Sequence, residues 1–181
     1  MGLTFETVPG GPIDERAYID DADLEGSLGR LAIAKALSVA GKCPEAVVLA
    51  ADTIVVCDKR VLGKPADRGE ARRMLEKLAG RRHTVMTGVA LVCREDDFSQ
   101  STIVTTDVWF REVSTGEIEW YLDSGEAFDK AGAYGIQGKA MIFIDKIEGC
   151  YYNVVGLPVR GTIDLFKAFI ARKEPRNVPN E

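Results

Sequence analysis

Histidine is nearly absent from this chain. His83 is the only one in 181 residues, which excludes multi-histidine metal centres. A bound divalent ion would have to be held mainly by oxygens, as Mg²⁺ or Mn²⁺ would be. With one histidine and no G-x-S-x-G, a serine-hydrolase reading has no support. Cysteine is sparse and scattered: Cys43, Cys57, Cys93 and Cys150 form no C-x-x-C pair, as expected of reduced thiols in a cytoplasmic protein. No secretory leader is seen and no apolar run is long enough to span a bilayer, so no membrane partner is expected. An excess of basic charge is also missing. A formal net charge of −5 argues against binding to nucleic acid polymers, although local lysines can still gather a small anion into a cleft. Internal repeats and low-complexity linkers are absent too.

What is there is an ordinary globular composition, with 46% hydrophobic and 28% charged residues, enough for one domain with a substantial core. A short strand is expected at Leu3–Val8, then a Pro9–Pro12 turn and an acidic segment. A helix follows from about Asp23 to Ala40, stopped at Gly41. Val47–Cys57 reads as a strand turned by Asp58-Lys59-Arg60 into Val61-Leu62. Asp67 and Glu70 have capping-box spacing ahead of an apolar stripe (Ala71, Met74, Leu75, Leu78), and Ser114 and Glu117 repeat the signal. Strands are expected near Thr84–Cys93, Thr102–Val113 and Met141–Ile147, with a last helix from Pro158 to about Arg172 and a frayed tail at 173–181. Alternating strands and helices with hairpins give an α/β class with a mixed sheet.

Three features break the pattern. Asp52 lies inside the apolar run LAADTIVVC, where a carboxylate is costly unless paired, or bonded to nearby backbone. A three-residue hairpin loop at 58–60 would bring Lys64 onto the same face as Asp52, one diagonal step away, whereas a two-residue turn would separate them. Pro65 restricts Lys64 to extended geometry. Lys35 falls among Leu24, Leu28, Leu31 and Val39 on one helical stripe, so it either snorkels to water or emerges at a cleft to meet an anion. The segment DKAGAYGIQG (129–138) has three glycines in seven positions, suiting sharp turns or close approach to a ligand. Within it, the Gln137 carboxamide can both donate and accept, which suits a nucleobase edge. Asp14 and Glu15 read as surface charges unless the fold carries them to Asp52, and His83 reads as structural.

Ala51-Asp52-Thr53, Leu62-Gly63-Lys64-Pro65, Leu78-Ala79-Gly80-Arg81, Thr87-Gly88-Val89-Ala90, Lys130–Gly138 and Asn153–Pro158 follow in order along nearly the whole chain. As a set they resemble the Maf family of nucleoside triphosphate pyrophosphatases. The resemblance implies one domain over 1–181 with an elongated, twisted sheet, two lobes and a central cleft, like the inosine-triphosphate pyrophosphatases. It implies Mg²⁺- or Mn²⁺-dependent hydrolysis of a nucleoside triphosphate to the monophosphate and pyrophosphate, and a possible homodimer. By position, Asp52 matches the proton acceptor. Glu15, Lys35 and Lys64 match polar active-site residues, with Asp52 and Glu15 as metal ligands, and Thr53 and Gln137 match positions tied to base selectivity. The loop form is that of the dTTP/UTP branch rather than the 7-methyl-GTP branch. The family's Ser-x-Ser-Pro-Arg-Arg segment, with its first strand and helix, has no counterpart here. A nucleotide-binding role in septum formation is therefore the rival expectation.

Overall fold

Residues 24–40 carry glycine or alanine at 29, 32, 36 and 40, and this small-residue side lets a helix lie close against a sheet. The contact is tight enough that a Cβ at Gly88 would meet the Leu28 carbonyl oxygen at 2.9 Å. The computed structural model describes residues 4–173. In chain order its elements are α1 (Glu15–Tyr18), α2 (Leu24–Ala40), β1 (Val48–Cys57), β2 (Arg60–Leu62), α3 (Arg68–Leu78), β3 (Arg82–Cys93), β4 (Phe98–Phe110), α4 (Thr115–Leu122), β5 (Ile144–Glu148), α5 (Tyr151–Val155) and α6 (Val159–Lys173). Two 3₁₀ turns, Ala131–Ala133 and Lys139–Phe143, lie between α4 and β5.

The strands form one sheet in the order β2-β1-β3-β4-β5. Strand alternation sorts its two faces. Ala50 and Ile54 of β1 pack toward α2, with Ala32, Ala36 and Ala40 in one cluster and Leu28 and Met86 in another. Val55 and Cys57 point the other way, into a core shared with Ala71, Leu75 and Leu78 of α3 and Ile118, Tyr121 and Leu122 of α4. On that same side Ala51 meets Leu165 and Phe169 of α6. The result is an α/β layered fold.

Helix ends follow their local signals. Asp67 accepts from the Glu70 N–H at 2.8 Å, and Ser114 and Glu117 close a full capping box on α4. Five expectations need correction. The sheet is antiparallel at every described ladder rather than mixed. Thr4–Val8 is not a strand: Phe5 is 81% exposed and no described strand lies alongside to accept its hydrogen bonds (Leu3 and the 174–181 tail lie outside the described residues). Met141–Ile147 divides, the first half winding into the 3₁₀ turn and only Ile144 onward pairing with β4. The short helices α1 and α5 stand where none was expected. The β1–β2 hairpin has a two-residue loop, Asp58 and Lys59, both at positive φ (51° and 61°), so that Cys57 faces Arg60. Such primed turns match the twist of the strands they join.

His83 is structural, as expected. It is 2% exposed, its Nε2 lies 2.7 Å from the Tyr134 hydroxyl, and it packs edge-on against Phe110. Burial lowers its pKa from 6.5 to about 4. Between those values the unfolded chain takes up a proton that the folded chain refuses, so stability falls as pH drops. His83→Gln should flatten the pH 7 to 4 stability profile in urea titrations by about 3 kcal/mol relative to the native chain.

Candidate active site

β2 pairs only with Val55–Cys57, leaving the rest of that β1 edge without a ladder partner among the described residues. Asp52 and Thr53 sit on this open stretch and both line a cleft of about 1190 Å³. Because successive side chains alternate, Asp52 turns toward α2 and Thr53 toward α5.

On the Asp52 side, Lys35 projects from α2 and bonds both carboxylates. Its Nζ donates to Glu15 Oε1 at 2.6 Å and to Asp52 Oδ1. Lys35 therefore does not snorkel freely; it is 24% exposed and is the cation that Asp52 requires. This corrects the expected Asp52–Lys64 pair. With the two-residue turn and β2 ending at Leu62, Lys64 leaves the ladder and stands exposed at the cleft wall, with no carboxylate within 4 Å among the described residues. Its charge still helps hold Glu15 and Asp52 ionised.

The two carboxylates are driven apart. The Lys35 hydrogen bond lowers the Glu15 pKa against a smaller effect of burial. Asp52 is raised, because burial outweighs the bond and charge of Lys35 while the Glu15 charge adds to the rise. Burial disfavours the Lys35 ammonium, but its bonds to Asp52 and Glu15 more than offset this and hold its pKa up. A buried carboxylate with a raised pKa beside a fixed cation suits proton acceptance.

On the other side of β1, Thr53 Oγ1 lies 2.9 Å from Thr87 Oγ1, its cross-strand partner. Thr87 donates in turn to the main-chain oxygen of Asn153 at 3.0 Å. Here the wall has an apolar stretch, Val154, Val155, Gly156, Tyr134 and Ile136, with Gln137 exposed on the loop and the charged Glu126, Asp129 and Lys130 also in the lining. Gly132, at φ 68°, would place a Cβ 3.0 Å from Val55, so glycine is what lets this loop close onto β1. The Glu126 carboxylate holds the loop's far end through the Lys139 N–H at 2.7 Å.

All six expected residues therefore line one cleft, Asp52, Lys35 and Glu15 in direct contact and Lys64, Thr53 and Gln137 around them. Sequence reasoning gave no separate role to Arg16, Lys130, Thr87 or Asn153, naming the last three only within their motif segments. Arg16 and Lys130 line the cleft, one directly after Glu15 and the other within the glycine-rich loop.

A family model described as Maf-like protein matches residues 1–169. The chain belongs to the Maf-like family. Its relatives include a dTTP/UTP pyrophosphatase of Symbiobacterium thermophilum, 49% identical over 93% of this chain and 85% of the relative. Another is that of Vibrio cholerae, 47% identical over 93% and 89%. A third, from a Thermoanaerobacter species, is 50% identical over 92% and 86%. Family membership makes a metal requirement worth testing against the cleft. Glu15 and Asp52 converge within reach of one point, now held by the Lys35 ammonium. Among the described residues no three side chains cluster as a ready-made metal cage. Mg²⁺ needs none, because one or two carboxylates plus substrate phosphates suffice to hold it. The lining also has more carboxylates (Glu15, Asp21, Asp52, Glu70, Glu126, Asp129) than basic side chains (Arg16, Lys35, Lys64, Lys130), so an added cation suits a polyanionic ligand. The donor set fits.

Proposed function

We propose that this protein hydrolyses dTTP and UTP between the α- and β-phosphates, releasing the nucleoside monophosphate and pyrophosphate. The observation that carries the reading is the Glu15–Lys35–Asp52 cluster in a cleft that also offers the Thr53 hydroxyl and an apolar stretch of Val154, Val155, Tyr134 and Ile136. The family and its dTTP/UTP pyrophosphatase relatives point the same way.

The charged side takes the triphosphate. Asp52, its pKa raised by burial, accepts a proton from the attacking water. Lys35 holds that carboxylate in place and, with Lys64, offsets phosphate charge, so most of the rate enhancement comes from positioning and electrostatics. Mg²⁺ or Mn²⁺, held by Asp52, Glu15 and the substrate phosphates, would neutralise charge on the phosphoryl oxygens. Thr53 and Gln137 meet the base beside the apolar stretch of Val154, Val155, Tyr134 and Ile136. The enzyme would act on free nucleotides in the cytoplasm, alone or as a homodimer. No described helix is long and apolar enough to cross a membrane.

The test is pyrophosphate release from dTTP, UTP, CTP and 7-methyl-GTP, with Mg²⁺ or Mn²⁺ and with EDTA. Turnover of dTTP and UTP that EDTA abolishes is expected. Folded protein that turns over none of the four would overturn the reading and leave nucleotide binding without hydrolysis as the rival.

A further inference from the structure

The Thr53 hydroxyl is the end of a hydrogen-bond chain that runs through Thr87 and the main chain of Asn153. The Thr106 hydroxyl donates to the Cys150 main-chain oxygen (3.1 Å) and accepts from the Cys150 N–H (3.0 Å). Asn153 Nδ2 donates to Thr106 Oγ1 and to the Val85 carbonyl, each at 3.0 Å. A carbonyl can only accept, so this second bond fixes which end of the amide is nitrogen. Held this way, Asn153 is fully buried, and its main-chain oxygen accepts from Thr87 and from the Gly156 N–H, each at 3.0 Å. Thr87 has one proton and two acceptors within reach, the Asn153 main-chain oxygen at 3.0 Å and Thr53 Oγ1 at 2.9 Å. Given to Asn153, that proton leaves Thr53 to donate in the contact between the two hydroxyls.

We infer that Thr87 and Asn153 are positioning residues that lock the Thr53 hydroxyl as an acceptor toward the cleft, so that it selects a pyrimidine carrying an imide N–H over cytosine. The proton of Thr53 points inward to Thr87 and only lone pairs remain for a ligand. Gly156 leaves room beside the hydroxyl, since a Cβ there would stand in van der Waals contact with Thr53 Oγ1, at 3.6 Å. Uracil and thymine present an N3–H donor to such a group. Cytosine presents an N3 lone pair, and two acceptors facing each other leave both unsatisfied. The inference rests on the pyrophosphatase reading and on Thr53 meeting the base. It gives Thr87 and Asn153, which do not line the cleft themselves, a part in the reaction.

The test compares kcat/KM for UTP and CTP in the native chain, Thr87→Val, Thr87→Ser and Thr53→Val, with folding checked by thermal melting. Thr87→Val releases the Thr53 proton to turn toward the cleft, and the UTP:CTP ratio should fall roughly tenfold, largely through improved CTP use. Thr87→Ser keeps the hydroxyl and should keep the ratio. Thr53→Val removes the acceptor and should lower the ratio by losing UTP, which provides a second reading should Thr87→Val fail to fold. A native ratio in folded Thr87→Val, or in Thr53→Val, overturns the inference while the pyrophosphatase reading stands. Absence of native turnover on any triphosphate overturns both.

Discussion

Asp52→Asn is expected to cut kcat for dTTP and UTP by roughly 10²–10⁴-fold, the usual contribution of a positioned proton acceptor. The fold should survive. Asn is isosteric, and its carbonyl oxygen can still accept from Lys35, which also keeps its bond to Glu15. The substitution removes a charge that burial disfavours, so the melting temperature should be unchanged or higher. Loss of activity together with undiminished stability is what separates a functional carboxylate from a structural one. The pH profile adds an independent check. Proton acceptance requires the ionised form, and burial raises the Asp52 pKa, so the acid limb of kcat/KM should lie above the ordinary aspartate value of 3.8. An Asp52→Asn variant of near-native activity would remove Asp52 from the reaction.

Much of this site was legible because its signals are local or anomalous. Helices α2 and α4 announce themselves through caps and a terminal glycine or capping box. Asp52 in an apolar strand and Lys35 in an apolar stripe each violate burial rules alone, and the structure resolves both violations by pairing one with the other. What sequence reasoning missed depends on register and distance. Asp58 and Lys59 turn the chain at positive φ without a glycine, so composition does not signal the two-residue loop, and the three-residue loop that would pair Lys64 with Asp52 does not form. Leu3–Val8 reads as a strand in isolation, but the described Thr4–Val8 has no described strand alongside to supply the ladder. The Thr87–Asn153 bond joins residues 66 positions apart, and neither side chain is unusual where it stands. Only the cross-strand pairing of Thr53 with Thr87 and the placement of α5 bring the chain of hydroxyls together.

Replacing Lys35 with Met gives the second large effect, by a different route. Methionine preserves the length and apolar stem but leaves Asp52 and Glu15 without the ammonium that bonds both. Burial already raises the Asp52 pKa, and the Glu15 charge acts in the same direction. Without Lys35, only the more distant Lys64 opposes them. Asp52 should then remain protonated to higher pH, and the acid limb of kcat/KM should move upward. At neutral pH the variant should be slower by roughly 10²-fold, combining the protonated base with lost charge stabilisation. Part of the loss should return as pH rises and Asp52 ionises; the remainder measures what the ammonium does for the triphosphate itself. Loss of Lys35 also removes the partner that lowers the Glu15 pKa, so the two carboxylates titrate as a coupled pair and the limb should broaden. A Lys35→Met variant whose limb stays at the native position would show that Lys35 binds phosphate without tuning the base, and would leave burial alone to set the Asp52 pKa.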